Sequence, residues 1–423
     1  MTYLIIFLLT IFTIVVSVQW YLAKRALRWV NSSSLPTAKK PLFKALIISL
    51  IIFLNLPLFY TFTVGMPHKP LPSYIMYPVV YPYAIWGSSY VLIFLLLKGG
   101  DLLSFLFKKL VALQLGKETG NEHRVRRPDS IPDSGRSPDL PLSNKYFCQT
   151  GRRNFLKFAG KGVVTAPLFF SSYGTFLGRE NFSVKNIEIK IPEIPDSLKS
   201  MKIAQISDIH AGLFMGKKQI DEWAKMVKDL NPDILFITGD FIASPGDSIL
   251  ACLDAVRFLS SSMPVFGCLG NHDYWGNEEI LTKNFKNSGA RLLRNEGEGF
   301  IFNNTELNIC GVEDPMRSTP DFEKASKKLN SGKATILLSH NPNYFDKIKK
   351  YNVPLTLSGH THGGQININL PGIHISPARL ITRYTRGLYR ENEGNLYVNP
   401  GLGTIGFPLR LNVPPEITVI KLV

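Results

Sequence analysis

The chain has 423 residues, of which 45% are hydrophobic and 19% charged, and its formal net charge is +16. The charge is unevenly placed: residues 1–180 contain 21 Lys and Arg against 7 Asp and Glu, and residues 181–423 contain 27 against 25. A basic surface usually marks a polyanion-binding protein. The nearly neutral C-terminal part has no such footprint, which argues against a nuclease and leaves the surplus to the N-terminal region.

That N-terminal region reads as membrane. Thr2 to about Leu22, Phe43–Val64 and Ile75–Leu97 are apolar runs, each long enough for a span of about 20 residues. The first lacks the basic flank of a signal peptide, and the runs behind it are equally apolar. The third is rich in Tyr and Pro, which suits an interfacial anchor or a kinked span. Residues 101–115 either continue the third helix or form an amphipathic helix at the membrane surface. Residues 1–115 are therefore expected to be a transmembrane region of about three helices.

Residues 116–150 turn polar, with Pro, Ser, Asp and Arg, and read as a flexible linker. In 151–180, Arg152-Arg153-Asn154-Phe155-Leu156-Lys157 precedes an apolar stretch from Phe158 to about Leu177. The run resembles a twin-arginine export signal, although it lies inside the chain. A fourth membrane helix with a basic cytoplasmic flank is the other reading. No A-x-A site follows, so the segment is expected to remain as an uncleaved anchor. Loop charges bear on orientation. Lys24, Arg25, Arg28, Lys39 and Lys40 lie between the first two runs, only Lys69 between the second and third, and many Lys and Arg beyond the third. The positive-inside bias puts the first and third loops in the cytoplasm, and with four spans residues 181–423 end up outside.

Residues 181–423 alternate short β-forming runs with helix candidates. The runs are Lys202–Ser207, Asp233–Thr238, Pro264–Leu269, Ala334–Leu338 and Pro354–Ser358; the helices are Lys217–Leu230, Asp247–Ser260, Asn277–Asn287 and Asp321–Leu329. Continuous apolar runs of this length read as buried strands in an α/β domain. Each run ends in the same kind of residue: Asp208-Ile209-His210, Gly239-Asp240, Gly270-Asn271-His272-Asp273, Ser339-His340 and Gly359-His360-Thr361-His362. Loops at the carboxyl ends of strands form the ligand crevice of open α/β sheets, so these side chains are expected to converge. Mixed carboxylate and imidazole ligation suits Mn, Fe or Zn better than Mg or Ca.

In this order the five motifs resemble the calcineurin-like metallophosphoesterase superfamily over roughly residues 183–423. The resemblance implies a four-layer α/β/β/α sandwich and two divalent metal ions. It further implies that Asp208, His210, Asp240 and His362 hold one ion. Asp240, as a bridge, would hold the second with Asn271, His340 and His360. His272 would protonate the leaving oxygen, oriented by Asp273. The contexts Gly270-Asn271-His272-Asp273-Tyr274-Trp275, Leu338–Pro342, Ser358–Gln365 and Leu396–Thr404 resemble the bacterial, membrane-associated branch. The implied activity is hydrolysis of a phosphate ester by a metal-activated water. The expected setting is a multi-pass protein of the bacterial inner membrane. Its catalytic domain would be on the periplasmic side, with the bilayer as partner and a lipid-associated phosphoester as substrate. Two alternatives stand beside it: a cytoplasm-facing enzyme like the UDP-2,3-diacylglucosamine pyrophosphatases, and a non-catalytic membrane sensor.

Other residues are open to two readings. Tyr274 and Trp275 could stack on substrate or cover the sheet edge. Arg379, Arg383, Arg386, Arg390 and Arg410 could neutralise phosphate oxygens or form a solvated basic loop. His68, His123 and His374 read as surface histidines. The four cysteines, Cys148, Cys252, Cys268 and Cys310, include no C-x-x-C pair, so no thiolate metal site is indicated.

Overall fold

The computed structural model describes residues 2–65, 67, 71–118, 160–244, 249–275, 278–371 and 373–423. They fall into two compact units, Met1–Leu54 with Ile85–Ser171, and Asn55–Ala84 with Ser172–Val423.

The first unit is helical. Thr2–Ser32 is one helix of 31 residues, and Lys40–Thr63 and Tyr81–Glu118 contribute their own parts to it. By length and composition, Thr37–Thr61 and Ser73–Lys109 can each cross a membrane. The Tyr- and Pro-rich start of the third run shows its irregularity as a π-helical turn over Met76–Val80, which contains Pro78. The missing N–H of a proline is a known cause of such turns. Beyond it the helix runs unbroken to Glu118, so residues 101–115 continue the third helix. Of the expected linker 116–150, residues 116–118 belong to this helix, and the rest, like Arg152-Arg153, lies outside the described residues. A helix over 160–173 ends in a second π turn, Gly174–Gly178.

The second unit carries two six-stranded sheets. In the first, the order is β1 (Ser183–Ile189), β14 (Glu416–Leu422), β2 (Lys202–Ile206), β3 (Ile234–Thr238), β4 (Val265–Cys268) and β5 (Arg291–Leu292). In the second it is β12 (Gly387–Glu391), β13 (Gly394–Val398), β9 (Leu355–Ser358), β8 (Thr335–Leu338), β7 (Thr305–Gly311) and β6 (Glu296–Phe302). The central strands β2, β3 and β4 pair in parallel, as do β7, β8 and β9. Parallel pairing requires crossovers, and the helices Lys217–Asp229 and Leu250–Ser260 supply those between β2, β3 and β4.

Three cores define four layers. Ile203, Phe236 and Phe266 from the first sheet meet Ile309, Leu338 and Leu357 from the second in one apolar layer. The outer face of the first sheet packs on helices: in Lys217–Asp229 the buried residues Ile220, Trp223, Ala224 and Val227 follow the i, i+3, i+4, i+7 spacing of a core-facing stripe. A smaller core joins Leu337 and Val398 of the second sheet to Phe322, Phe345 and Ile348 of short helices. The helix at Phe322–Ser326 starts where the Asp321 side chain accepts the Lys324 N–H at 2.9 Å. The result is the α/β/β/α sandwich. Because β2, β3 and β4 lie in one sheet and β8 and β9 in the other, the motif-bearing strand ends come from both sheets rather than from the crevice of one.

Candidate metal centre

Three of the five motif loops are bent tightly where their strands stop. Asp208, His210, Asp240, His360 and His362 all have positive φ, between 49° and 73°. Non-glycine residues rarely sit there unless surrounding structure holds them, and such residues cluster at functional sites. The hydrogen bonds supply that hold. Asp208 N–H donates to the Gly239 carbonyl, His210 N–H to the Asp240 carbonyl, and Gly359 N–H to the His340 carbonyl. Two glycines are needed for close approach. A Cβ on Gly270 would lie 2.2 Å from Asp240 Oδ1, and one on Gly359 would lie 2.2 Å from Asp208 Oδ2.

The side chains converge on one buried spot. Asp240 Oδ2 is 3.4 Å from His210 Nε2 and 3.3 Å from His340 Nε2. His362 Nε2 lies 3.4 Å from Asp208 Oδ1 and 3.0 Å from His210 Nε2, and His360 Nδ1 is 3.2 Å from His340 Nε2. Two separate groups could each hold a metal ion: Asp208 with His210 and His362, and Asp240 with His340 and His360. Asp240 also falls in a group with His210 and His272. The Asn271 Oδ1 is buried and has no hydrogen-bond partner, an arrangement that costs free energy unless something fills it. An amide oxygen, two carboxylates and neutral imidazoles fit a divalent cation of the Mn, Fe or Zn kind.

Protonation fits the same purpose. Burial pushes His210 down to about 3 and His360 down to about 4, and drives His362 well below its ordinary value, so these rings are neutral ligands at neutral pH. Burial raises Asp208 to about 6. At His340 burial is outweighed by the Asp240 and Asp208 carboxylates, which lift it well above the ordinary value; the same pairing holds Asp240 well below it, against burial. His340 Nδ1 donates to the Thr238 carbonyl at 2.7 Å, which leaves Nε2 facing the site.

His272 lies at the rim, its ring 4.7 Å from that of His210 and 4.1 Å from Trp275. Its Nδ1 donates to the Ala243 carbonyl at 2.7 Å, so Nε2 is the atom available to a substrate. Here the expected orienting role of Asp273 is corrected. Its carboxylate accepts N–H groups of Gly270, Asp240 and Phe241 at 2.8–2.9 Å and ties the two loops together. Among the described residues, a backbone carbonyl orients the imidazole. Asp273 is one helical-like turn from the strand end, so its short side chain reaches the nearer amides first.

The other candidates separate. Trp275 lines a cavity of about 190 Å³ that opens on His210 and His272, and Arg317 stacks over it at 5.5 Å. Tyr274 instead donates to Glu313 and accepts the Asp314 N–H, with its ring on the helix-side core. Arg386 packs beside Gly363 and donates to the Asn412 carbonyl. Arg383 bonds Asp346 on the exposed surface, and Arg379, Arg390 and His374 are exposed. Arg410 is not free for phosphate: it is fully buried and donates to the carbonyls of Pro400, Gly401, Gly403 and Val413. It thereby fixes the 400–403 turn against Asp208 and His210. Burial lowers it to about 10, still charged at neutral pH. Cys252, Cys268 and Cys310 are buried, with thiols pushed up by burial, Cys310 to about 12. His68, His123 and Cys148 lie outside the described residues.

Asp314 escaped the motif search. It is buried, its Oδ2 has no partner, and its pKa is raised by burial while His340 pulls it down. A weaker signal was present: Leu307-Asn308-Ile309-Cys310-Gly311-Val312 is mostly apolar, and Glu313-Asp314 follows it as an acidic strand end. A larger groove of about 600 Å³, lined by residues such as Asn186, Ser200 and Lys421, lies by the amino end of β2. It has no histidine, so volume does not locate this site; convergence of ligands does.

Comparison with known proteins agrees with that geometry. Residues 201–364, which carry all five motifs, match the calcineurin-like phosphoesterase family. The uncharacterized metallophosphoesterase YkuE of Bacillus subtilis is 31% identical over 279 residues, 64% of this chain and 97% of the relative. The chain belongs to the calcineurin-like metallophosphoesterase family. Among its other relatives, a transmembrane protein with metallophosphoesterase domain from Danio rerio is 31% identical, covering 62% of this chain and 61% of that protein. The phosphodiesterase YaeI of Escherichia coli is 27% identical, covering 64% and 99%. Family membership makes the chain a metal-dependent phosphoesterase and the buried cluster a site for divalent metal ions.

Proposed function

We propose that this protein is a membrane-anchored hydrolase of lipid-associated phosphoesters, built on a dinuclear centre. The observation that carries the reading is the position of Asp240, whose Oδ2 lies within 3.4 Å of both His210 and His340. A carboxylate shared in this way could serve two divalent ions at once. Asp208, His210, Asp240 and His362 would hold one ion, and Asp240, Asn271, His340 and His360 the other. When bound, such a pair lowers the pKa of water and offsets charge on phosphoryl oxygens.

The chain's own residues supply the rest. His272, fixed through Nδ1, presents Nε2 to donate a proton to the leaving oxygen. Asp273 and Arg410 hold the loops by their backbones, and Trp275 closes one side. The name of the Escherichia coli relative favours a phosphodiester.

Two features favour a membrane substrate and an extracytoplasmic site. Met76, Val80 and Tyr81 pack with Leu213 and Phe214, just past His210. Arg179 donates to both the Tyr81 hydroxyl, at 2.7 Å, and the Phe214 carbonyl, at 2.9 Å. The catalytic loop thus meets the helix beginning at Ser73 at its start. That contact favours a site on the side of the loop bearing only Lys69, since the Lys- and Arg-rich segments are expected in the cytoplasm. This suits a multi-pass protein of a bacterial inner membrane with a periplasmic catalytic domain.

A hydrolysis screen of Mn-loaded protein in lipid, over phospholipids, UDP-linked lipids and aryl phosphodiesters, tests the activity. A reporter fused after Val423 tests the side. Turnover that persists in Asp240→Asn with metal content intact would sink the catalytic assignment. A cytoplasmic reporter would favour the UDP-linked alternative.

A further inference from the structure

We infer that the cavity beside the metal centre is a subsite for the apolar chain of the substrate, with Pro67 on one of its walls. The inference rests on the phosphoesterase reading above and names the part of the ligand that the metal ligands do not recognise.

The cavity of about 190 Å³ has two unlike sides. His210 and His272 form the polar end, where the phosphoester would lie. Phe214, Met215, Trp275 and Ile405 supply most of the apolar lining beside Ser244 and Thr404, and Pro67 reaches it from the loop between the second and third apolar runs. At about 30 Å³ per water, the space holds about six waters, enough for the first few methylenes of a chain but not for a whole acyl group. The chain would therefore have to leave the cavity, and its exit is apolar too. Leu71 and Ile75 pack with Met76, Val80, Leu213 and Phe214, which continues the apolar wall from the cavity onto a membrane-spanning helix. Tyr83 meets Phe407 at 6.1 Å on the same segment. Ile405 is 44% exposed, two residues past the 400–403 turn that supports Asp208 and His210. An aqueous phosphate site has no use for such a wall. A diester lying in the bilayer, with its phosphate at the metals and its chain along Phe214, Met215 and Ile405, uses all of it.

Hydrolysis itself adds an oxygen from water to phosphorus and releases the leaving alcohol with a proton. The subsite would act on affinity rather than on that step. The test is a series of p-nitrophenyl alkyl phosphodiesters, from methyl to octyl, with the full-length metal-loaded protein in lipid nanodiscs. Each buried methylene is worth about a fourfold gain, so kcat/KM should rise at least about 100-fold from methyl to octyl and level off beyond. In the double variant Phe214→Ser, Ile405→Ser, the octyl-to-methyl ratio should fall at least about tenfold. A flat series in the unaltered protein, or an undiminished ratio in the variant, would overturn the subsite. Calorimetric binding of alkylphosphonates of two to ten carbons reads the subsite without turnover. If affinity rises with chain length while no ester is hydrolysed, the subsite stands and the phosphoesterase reading fails. If esters are hydrolysed with no chain-length preference, the reverse holds.

Discussion

The sandwich and the membrane helices are made of similar residues used in opposite ways. In the sandwich, Ile203, Leu357 and Trp223 are fully buried, and large polar groups are buried with them: Asp208, His210, Asp240 and Arg410. In the membrane helices, no residue in the most apolar window of Thr37–Thr61 is buried against protein, and Leu50, Ile52 and Phe59 are more than half exposed. Water would punish that exposure at roughly 25 cal/mol per Å², whereas lipid tails are as apolar as leucine. The difference teaches that the medium decides what a hydrophobic residue does. In the sandwich apolar burial frees the interior to hold charges in place, and in the long N-terminal helices apolar exposure suits a lipid surround.

The sharpest way to break the contrast is to remove a buried charge. Asp240→Asn should abolish metal-dependent hydrolysis, with both turnover and metal content measured. His272→Ala should lower kcat by about 10²–10⁴-fold, the range of general acid catalysis, with bound metal unchanged; a loss of metal instead would assign His272 to coordination. Next comes the apolar core. Leu357→Ala, between the two sheets, should destabilise by about 2–5 kcal/mol, read as a drop of about 2–4 °C in Tm per kcal/mol. Acid should act on the centre through proton competition. Asp208 is raised to about 6 by burial, so it is increasingly protonated as pH falls through 6. Metal affinity should weaken over that window, and loading should release protons, as titration calorimetry in two buffers would register. The smallest effect is expected in the membrane helices. Leu50→Ala leaves no cavity in protein and should change stability by less than about 0.5 kcal/mol; a larger loss would mean that Leu50 packs against a partner rather than lipid.

Much of this was legible in the sequence because the determining patterns are local. The runs ending at Ser207, Thr238, Leu269, Leu338 and Ser358 are strands within a residue or two of their expected limits, since a continuous apolar run followed by Gly or Asp has few other conformations. Helix Lys217–Asp229 was equally clear from its i, i+3, i+4 stripe. The motif residues themselves announced the chemistry, since few roles other than metal ligation need so many His and Asp at strand ends. The partners of those residues were not legible. Asp273 was expected to orient His272, but its carboxylate binds the amides of Asp240 and Phe241, more than thirty positions away. Arg410 was weighed as a phosphate ligand, and it is spent on the carbonyls of the 400–403 turn. Asp314 was passed over because its strand was not marked as one of the set.

Sequence alone therefore marked the metal-site motifs, the strand ends and the stretches apolar enough to cross a bilayer, because composition and short-range periodicity carry that information. Only the tertiary structure decided that the ligands come from two sheets and that Asp240 stands between His210 and His340. It also decided that the loop after His210 packs on the start of a membrane helix. Those facts depend on side chains meeting across 30 to 200 positions, where no local pattern reaches and packing alone selects the partner.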